Sequence, residues 1–349
     1  MKRICIGITI LLLLTTGCKN NGITEHQKFR TIIKIKTTPV KNQGNSSFCW
    51  AYAMLATIES EHIMMGDSVN ISAAYTARMM MDEESIKDYL DGGKNDISLR
   101  GMGPLLVDLI ERYGTVPYDS YQDPDRINYN ALGKGIQHLA IISSQQKTGL
   151  KRYEQKVQDM MDQNMGYMPA HTVFMLGAEY TPGEFARSIC APGEYLFMTS
   201  FTHHPFYHTF ALETPDNKNN ARFYNVPLNK MMATIEQTLR HGHPVFWEGD
   251  SSEPGFSFEK GIATVPEKHI TQSIRQQQFE QLYTTDDHAM ELTGIAVNKK
   301  GDKYFVAKNS WGSNNPYQGY MYLSYNYIAL KTIAIGFSRH SLKSASFFK

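Results

Sequence analysis

A cysteine and a nearby glutamine stand where they could begin an acyl transfer. Cys49 follows the polar loop of residues 39–48 and opens an apolar segment that runs to Met65, with Gly66 as its stop. The pattern predicts a helix that begins at Cys49, and the partial positive charge of its N-terminus would lower the pKa of the thiol. Gln43 has a carboxamide that could donate to an oxyanion.

His288 and Asn309 could supply the base and the group that orients it. The alternating segments 290–297 and 303–308 are joined by turn residues, a pattern that predicts a hairpin. His288 precedes the first strand and Asn309 follows the second, so both lie at the open end of the hairpin. The amide oxygen of Asn309 would accept from one ring nitrogen of His288 and leave the other facing a thiol. Such a pair makes a cysteine a nucleophile for acyl transfer.

Composition excludes several other classes of protein. The chain has 349 residues, of which 42% are hydrophobic and 20% charged, and its net charge of +1 indicates no nucleic-acid partner. The cysteines at positions 5, 18, 49 and 190 form neither a disulfide framework nor a set with zinc spacing. We therefore expect no metal and no cofactor, and we interpret Cys190 as a buried small hydrophobe.

The N-terminal segment is typical of an exported lipoprotein. Two basic residues precede an apolar stretch over residues 4–14, which is too short to span a bilayer permanently. Small residues before Cys18 resemble the bacterial lipobox. We predict a signal peptide over residues 1–17, lipidation of Cys18 and a tether over residues 18–36. The protein would then be a membrane-anchored lipoprotein of the cell envelope, on its periplasmic or extracellular face; a plain signal peptide is the alternative.

The body of the chain predicts helices first and strands second. Ser72 is the predicted cap of a second helix, and the glycine-rich loop of residues 100–104 leads into a third that ends at Gly114. Residues of about 126–175 are interpreted as a helical insertion packed on the main body, and within them the charged, glutamine-rich segment 145–165 predicts a helix. The last third is rich in strands. These patterns favour an α+β fold with a helical half packed against a twisted antiparallel half.

The three motifs resemble, in order and spacing, the signature regions of the papain-like cysteine peptidases. The resemblance implies a two-subdomain fold over residues 37–349, with the active site in the cleft between the halves. It implies these roles: Cys49 as nucleophile, His288 as general base and acid, Asn309 as its orienter and Gln43 as oxyanion donor. It also implies these substrate-binding residues: Gly101, Met102 and Gly103 in the loop whose backbone pairs with the peptide, and Trp311 over the His288–Asn309 bond.

Within that family the chain resembles the bleomycin hydrolase and aminopeptidase C branch. Ser46 occupies the place where the papain and cathepsin branch has a second cysteine. Residues 224–228 and 242–245 also resemble the bleomycin hydrolase branch. Ser47 and Phe48 replace the glycine–arginine pair that the bleomycin hydrolase branch has before its nucleophile. In the branch a C-terminal arm enters the cleft and holds the amino group of the substrate. Residues 341–349 are short for that role, so internal cleavage and cleavage from the N-terminus both stay open.

The sequence therefore predicts a cysteine-type peptidase, an aminopeptidase or oligopeptidase, acting on peptide or protein substrates through a Cys49 thioester. Two alternatives stay open: a catalytically weak papain-fold binding lipoprotein, and an amide hydrolase or acyl transferase acting on a non-protein substrate. Other chemistry-bearing residues have no visible partner. Glu248 and Asp250 near Trp247 are interpreted as loop residues. The remaining histidines of the strand-rich half are interpreted as structural or surface residues: His203, His204, His208, His241 and His243.

Overall fold

A computed structural model describes residues 27–122, 127–169, 172–175 and 177–342. The predicted signal peptide, Cys18 and residues 19–26 of the predicted tether lie outside the described residues. Residues 343–349, which hold most of the C-terminal tail, also lie outside them.

The described ranges contain nine α-helices. They are α1 Cys49–Met65, α2 Ala73–Leu90, α3 Gly103–Tyr113, α4 Tyr129–Gln145, α5 Leu150–Met165, α6 Pro182–Ile189, α7 Leu228–Arg240, α8 Gln272–Glu280 and α9 Tyr325–Lys331. None of them is both long and apolar enough to cross a membrane. The predicted helix over 145–165 is wrong at its start, because α4 ends at Gln145 and a turn through Gly149, with φ of 85°, separates it from α5.

The strands of the described residues form one large sheet and one small hairpin. They are β1 Arg30–Lys34, β2 Val173–Met175, β3 Ala178–Tyr180, β4 Tyr195–Thr199, β5 Thr209–Ala211, β6 Arg222–Asn225, β7 Val245–Gly249, β8 Phe256–Ser257, β9 Ile262–Ala263, β10 His288–Val297, β11 Lys303–Lys308, β12 Tyr320–Ser324 and β13 Thr332–Ser338. The large sheet has the order β5-β6-β4-β13-β7-β10-β11-β12-β9-β8, with β1 also paired to β10. Strands β2 and β3 form the separate small hairpin.

The pairing in the large sheet is mostly antiparallel, as predicted. Two pairs are parallel instead, β12 with β9 and β4 with β6, so the sheet is mixed. The predicted hairpin is present as β10 and β11, in a register that pairs Glu291 with Lys308. Strand β7 lies beside β10 and pairs Glu248 with Ala289.

Helix α1 forms the centre of the molecule, because nearly its whole surface is buried. One hydrophobic cluster joins α1 to the other helices of the first half and to Phe246 of β7. A second cluster lies on the opposite face of the sheet, where Trp247 packs against α7 and α9. Adjacent residues of β7 therefore face different cores, as the period of two in a strand requires. The sheet fixes β10 and β11, and the packing of α1 on that sheet brings the helix N-terminus to their ends.

Candidate active site

The thiol of Cys49 lies where the N-terminus of α1 meets strand β10. The helix begins at Cys49 as predicted, with buried Phe48 as its N-cap residue and no side chain capping the first turn. Phe48 packs edge-on against Trp50, with ring centroids 5.2 Å apart, which anchors the start of the helix. The backbone N–H groups of Trp50 and Ala289 both donate toward the sulfur. Residue 289 follows His288 directly, and Cys49 and His288 line the same cavity.

His288 is held by Asn309 in the tautomer that a general base needs. Its Nε2 lies 2.8 Å from Asn309 Oδ1, and both residues are buried. The backbone N–H of Ser310 donates to the same oxygen at 2.7 Å, so the amide oxygen, and not the amide nitrogen, faces the ring. His288 Nε2–H is therefore the donor, and Nδ1 keeps its lone pair. The two residues that the sequence predicts to meet do meet.

Trp311 covers the imidazole, as the resemblance implies. Its ring centroid lies 4.5 Å from that of His288, and Phe256 and Phe258 pack edge-on against the indole. This aromatic cover keeps water from the His288–Asn309 hydrogen bond, which strengthens the bond.

Gln43 is locked beside the thiol by hydrogen bonds at both ends of its amide. Ser310 Oγ donates to Gln43 Oε1 at 2.6 Å, and Gln43 Nε2 donates to the Ser46 carbonyl at 2.7 Å. The backbone N–H of Gln43 also donates to the Ser310 carbonyl. One N–H of the Nε2 group is thus used in positioning, and the second is available to an oxyanion in the cavity that Gln43 and Cys49 both line.

The glycine loop reaches the cavity through one of its three predicted residues. Gly101 lines the cavity, and a Cβ at this position would lie only 2.7 Å from the ring of Trp50. The indole N–H of Trp50 donates to the Leu99 carbonyl and fixes the loop. The side chain of Met102 is completely buried and accepts from Thr214, so it points away from the substrate, and Gly103 begins α3.

Burial determines the protonation state of the pair in the free protein. Burial raises the pKa of the Cys49 thiol to about 12, with further increase from the carboxylates of Glu248 and Asp286. Burial also lowers the pKa of His288 to about 4. The predicted lowering of the thiol pKa is therefore wrong, because desolvation and two nearby carboxyls outweigh the helix terminus. The resting pair is a neutral thiol and a neutral imidazole, suited to proton transfer during attack.

Sequence reasoning missed the acidic wall of the cavity. The cavity around Cys49 has a volume of about 430 Å³, and its lining includes Asp216, Glu248, Asp286 and Asp287. The interpretation of Glu248 as a loop residue is wrong, because it lies in β7 and is 1% exposed. A charged residue inside an otherwise apolar strand was the signal available in the sequence. Asp250 differs, since it accepts from Ser252 and from the backbone of Thr285 and supports the local turn.

One cluster outside the cavity has the spacing of a metal site. His203, His204 and Glu213 bring their ligand atoms within 4.8 Å of one another. Gln276 Oε1 accepts from the Thr202 N–H, so its Nε2 group faces His203 Nδ1 as a donor. His203 Nε2 then carries the hydrogen and donates to Glu213, an arrangement that fits a hydrogen-bonded network and not a metal ligand.

The geometry agrees with comparisons of the chain with known proteins. Residues 164–343, slightly more than half of the chain, match the Peptidase C1-like family. Aminopeptidase E of Lactobacillus helveticus is 22% identical over 346 residues, which cover 82% of this chain and 78% of the relative. Aminopeptidase G of Lactobacillus delbrueckii subsp. lactis is 20% identical over 352 residues, which cover 84% and 79%.

A solved structure gives the same result for the fold. The crystal structure of PepW from Lactobacillus rhamnosis superposes with a TM-score of 0.67 at 17% identity, covering 90% of this chain and 82% of that one. The chain belongs to the Peptidase C1-like family and is a papain-like cysteine peptidase of the aminopeptidase C branch.

Proposed function

We propose that this peptidase cleaves peptide bonds through a thioester on Cys49, with His288 as base and acid, and that it removes residues from the N-terminus of its substrates. The His288 Nε2–Asn309 Oδ1 contact of 2.8 Å beside the thiol carries the mechanistic part of the proposal. The similarity to aminopeptidases E, G and W supports cleavage from the N-terminus of the substrate.

The acylation step begins from the neutral pair. His288 Nδ1 takes the thiol proton while Sγ of Cys49 forms a bond to the scissile carbonyl carbon. The carbonyl oxygen becomes an oxyanion that accepts from Gln43 Nε2–H and the backbone N–H of Cys49. The tetrahedral intermediate then collapses, the C–N bond breaks, and His288 gives its proton to the leaving amine. The products of this half are a thioester on Cys49 and a shortened peptide.

The deacylation step repeats the same proton transfers with water. His288 Nδ1 takes a proton from the water that attacks the thioester carbonyl, and the second oxyanion uses the same donors. The C–S bond breaks, the sulfur recovers the proton, and the free acid leaves. Asn309 holds the imidazole in one orientation through both halves, because its oxygen accepts from Nε2 in the neutral and in the protonated ring.

Substitution of the two central residues tests the mechanism. We expect Cys49→Ala and His288→Ala each to lower kcat/KM on a fluorogenic peptide amide by roughly a thousandfold or more. Glu259→Gln is a matched control, because Glu259 is exposed and does not line the cavity. Retention of wild-type kcat/KM in Cys49→Ala would refute the thioester route.

Product mapping tests whether the protein cleaves from the N-terminus of its substrates or internally. Digestion of a peptide library followed by mass spectrometry is expected to release single residues from free N-termini and to leave N-acetylated copies intact. Internal cuts in the acetylated copies would show an endopeptidase instead.

We also propose that the protein is anchored to the cell envelope through lipidated Cys18, supported by the short apolar segment and polar residues that flank this cysteine. Metabolic labelling with an alkyne fatty acid should mark the wild-type protein. Cys18→Ser should lose the label and move to the soluble fraction, and equal labelling of both proteins would contradict the anchor.

A further inference from the structure

Four carboxyl groups line the cavity of Cys49, and they differ in whether the fold supplies partners. Asp216 pairs with Arg100, whose Nε lies 2.7 Å from its Oδ1. Asp287 accepts from the backbone N–H and the hydroxyl of Ser251. Glu248 and Asp286 each keep an enclosed oxygen, Oε2 and Oδ2, that has no hydrogen-bond partner among the described residues.

The fold holds Glu248 in place without satisfying it. Glu248 lies on β7, between β10 and β13. It pairs with Ala289 on one side and with Ala334 on the other. One carboxyl oxygen accepts from the backbone N–H of Gly103 at the start of α3. The side chain is 1% exposed, so water does not replace the missing partner of Oε2. Burial of a carboxyl oxygen without a donor costs free energy, and such a cost persists where function requires it.

Within the described residues, the cationic side chains form no ion pair with Glu248 or Asp286. Arg100 approaches Asp286 closely enough to oppose the rise of its pKa, but its Nε is bound to Asp216. The cavity thus has two carboxyl groups without a protein counter-charge, beside the nucleophile.

Resting on the peptidase function above, we propose that Glu248 and Asp286 form a subsite that receives a primary ammonium group of the peptide substrate. An ammonium has three donors and no acceptor, so it can bond to both carboxylates at once. Two groups of a peptide have this chemistry, the free α-amino group and the side chain of lysine. Either would lie in the same cavity as the thiol, and its capture would fix the scissile bond against Cys49.

The protonation behaviour of the two carboxyls agrees with this subsite. Burial raises the pKa of both well above the ordinary range, and Asp286 raises the pKa of Glu248 further. Asp216 raises both pKa values further, while Asp287 raises and Arg100 lowers that of Asp286 alone. A bound ammonium favours the ionised forms, so its binding releases protons. The KM of a cationic substrate should therefore fall as the pH rises, and that of a neutral substrate should not.

Matched substrates test the subsite in the wild-type chain. The first pair is leucine anilide and its analogue with a methyl group in place of the α-ammonium. The second pair is N-acetyl-lysyl-leucine anilide and its analogue with a methyl group in place of the ε-ammonium. We expect the charged member of one pair to have a kcat/KM about 10- to 100-fold higher, as for a hydrogen-bonded charge. The pair that shows the preference identifies the source of the ammonium.

Variants then assign the preference to the two carboxyls. Glu248→Gln and Asp286→Asn should each bring the charged-to-neutral ratio of kcat/KM close to one. Glu248→Asp, which restores the charge, should recover part of the preference. The exposed control Glu259→Gln should leave the ratio unchanged. If Glu248→Gln does not fold, Asp286→Asn and the wild-type pairs decide the question.

Calorimetric binding of the same amides to Cys49→Ala separates this proposal from the peptidase function. Tighter binding of a charged member supports the subsite even if the wild-type protein turns over none of the substrates, a result that would count against the proposed function alone. Equal binding and equal turnover of charged and neutral members by the wild-type chain would overturn the subsite and leave the peptidase function intact.

Discussion

Two glutamates close to helix α1 are equally buried and have opposite surroundings. Glu59, on the helix itself, accepts from Lys41 Nζ at 2.8 Å, from the Ile71 backbone at 2.7 Å and from Thr38 Oγ1 at 2.5 Å. Glu248, on β7, has one oxygen bonded to a backbone N–H and one without a partner in the described chain. Both side chains are no more than 1% exposed.

The difference indicates what each carboxyl does. The bonds of Glu59 tie α1, which carries Cys49, to the loop that carries Gln43, so they fix the nucleophile against the oxyanion donor. Glu248 lines the cavity, and its Oε2 has no hydrogen-bond partner among the described residues. A buried charge with all its partners supports the structure, whereas one with a free position beside a nucleophile is suited to a ligand.

The largest expected effect is that of Glu59→Gln on stability. The change leaves Lys41 without its buried counter-charge. It also places the N–H group of the new amide against groups that donate to Glu59. We therefore expect a loss of about 3 kcal/mol in the free energy of unfolding. Chemical denaturation measures it. A loss within the error of the exposed control Glu259→Gln would show that the network around Glu59 is not structural.

A third buried carboxyl, Glu291, tests the comparison through pH. Its position on β10 faces Lys308 at 3.7 Å, but neither of its oxygens has a well-formed hydrogen bond within the described residues. Burial raises its pKa to about 7. The folded state therefore binds the proton more tightly than the unfolded state, and stability should fall as the pH rises from about 4.5 to 7, by up to about 3 kcal/mol.

The variant Glu291→Gln isolates that contribution. Its free energy of unfolding, measured across the same pH range, should decline less steeply than that of the wild-type chain. An identical slope in the two proteins would mean that Glu291 is already ionised in the fold or that other groups account for the decline.

Glu248→Gln should have the opposite effect on stability from Glu59→Gln. The amide can keep the acceptor for Gly103, and its new N–H group can donate toward Asp286. We expect the free energy of unfolding to stay the same or to rise by about 1 kcal/mol, since a buried unpaired carboxyl is removed. A fall of several kcal/mol would place Glu248 in the same structural class as Glu59.

The smallest expected effect is on the reactivity of the thiol. Glu248 raises the pKa of Cys49, so Glu248→Gln should speed alkylation of Cys49 by iodoacetamide a few-fold at about pH 9. Peptide mapping would follow the modification at Cys49 separately from Cys190. A rate equal to or below that of the wild-type protein would show that the carboxyl does not act on the sulfur.

Much of the site could be predicted from the sequence because its signals are local. The helix start at Cys49 and the open end of the β10–β11 hairpin each follow from a short stretch of residues. Strand β13 was not predicted, since its residues form one continuous apolar run that starts directly after α9. Such a run has no period that separates a buried strand from a helix.

The acidic subsite could not be predicted because it depends on pairing between distant strands. Glu248 comes close to Asp286 only because β7 pairs with β10. The raised pKa of Cys49 was missed for the same reason, as the helix terminus is visible in the sequence and the desolvation around the thiol is not. Predictions from local patterns therefore identified the reacting groups and not their electrostatic surroundings.

Direct trapping of the acyl-enzyme tests the central claim most sharply. An activated ester of the preferred acyl group is mixed with the wild-type protein, quenched in acid during the first turnover and analysed by intact mass and peptide mapping. The mechanism predicts that the peptide containing Cys49 gains the mass of the acyl group, and that Cys49→Ala gains none. Turnover of the ester at the wild-type rate by Cys49→Ala, or an acyl group on another residue, would contradict it.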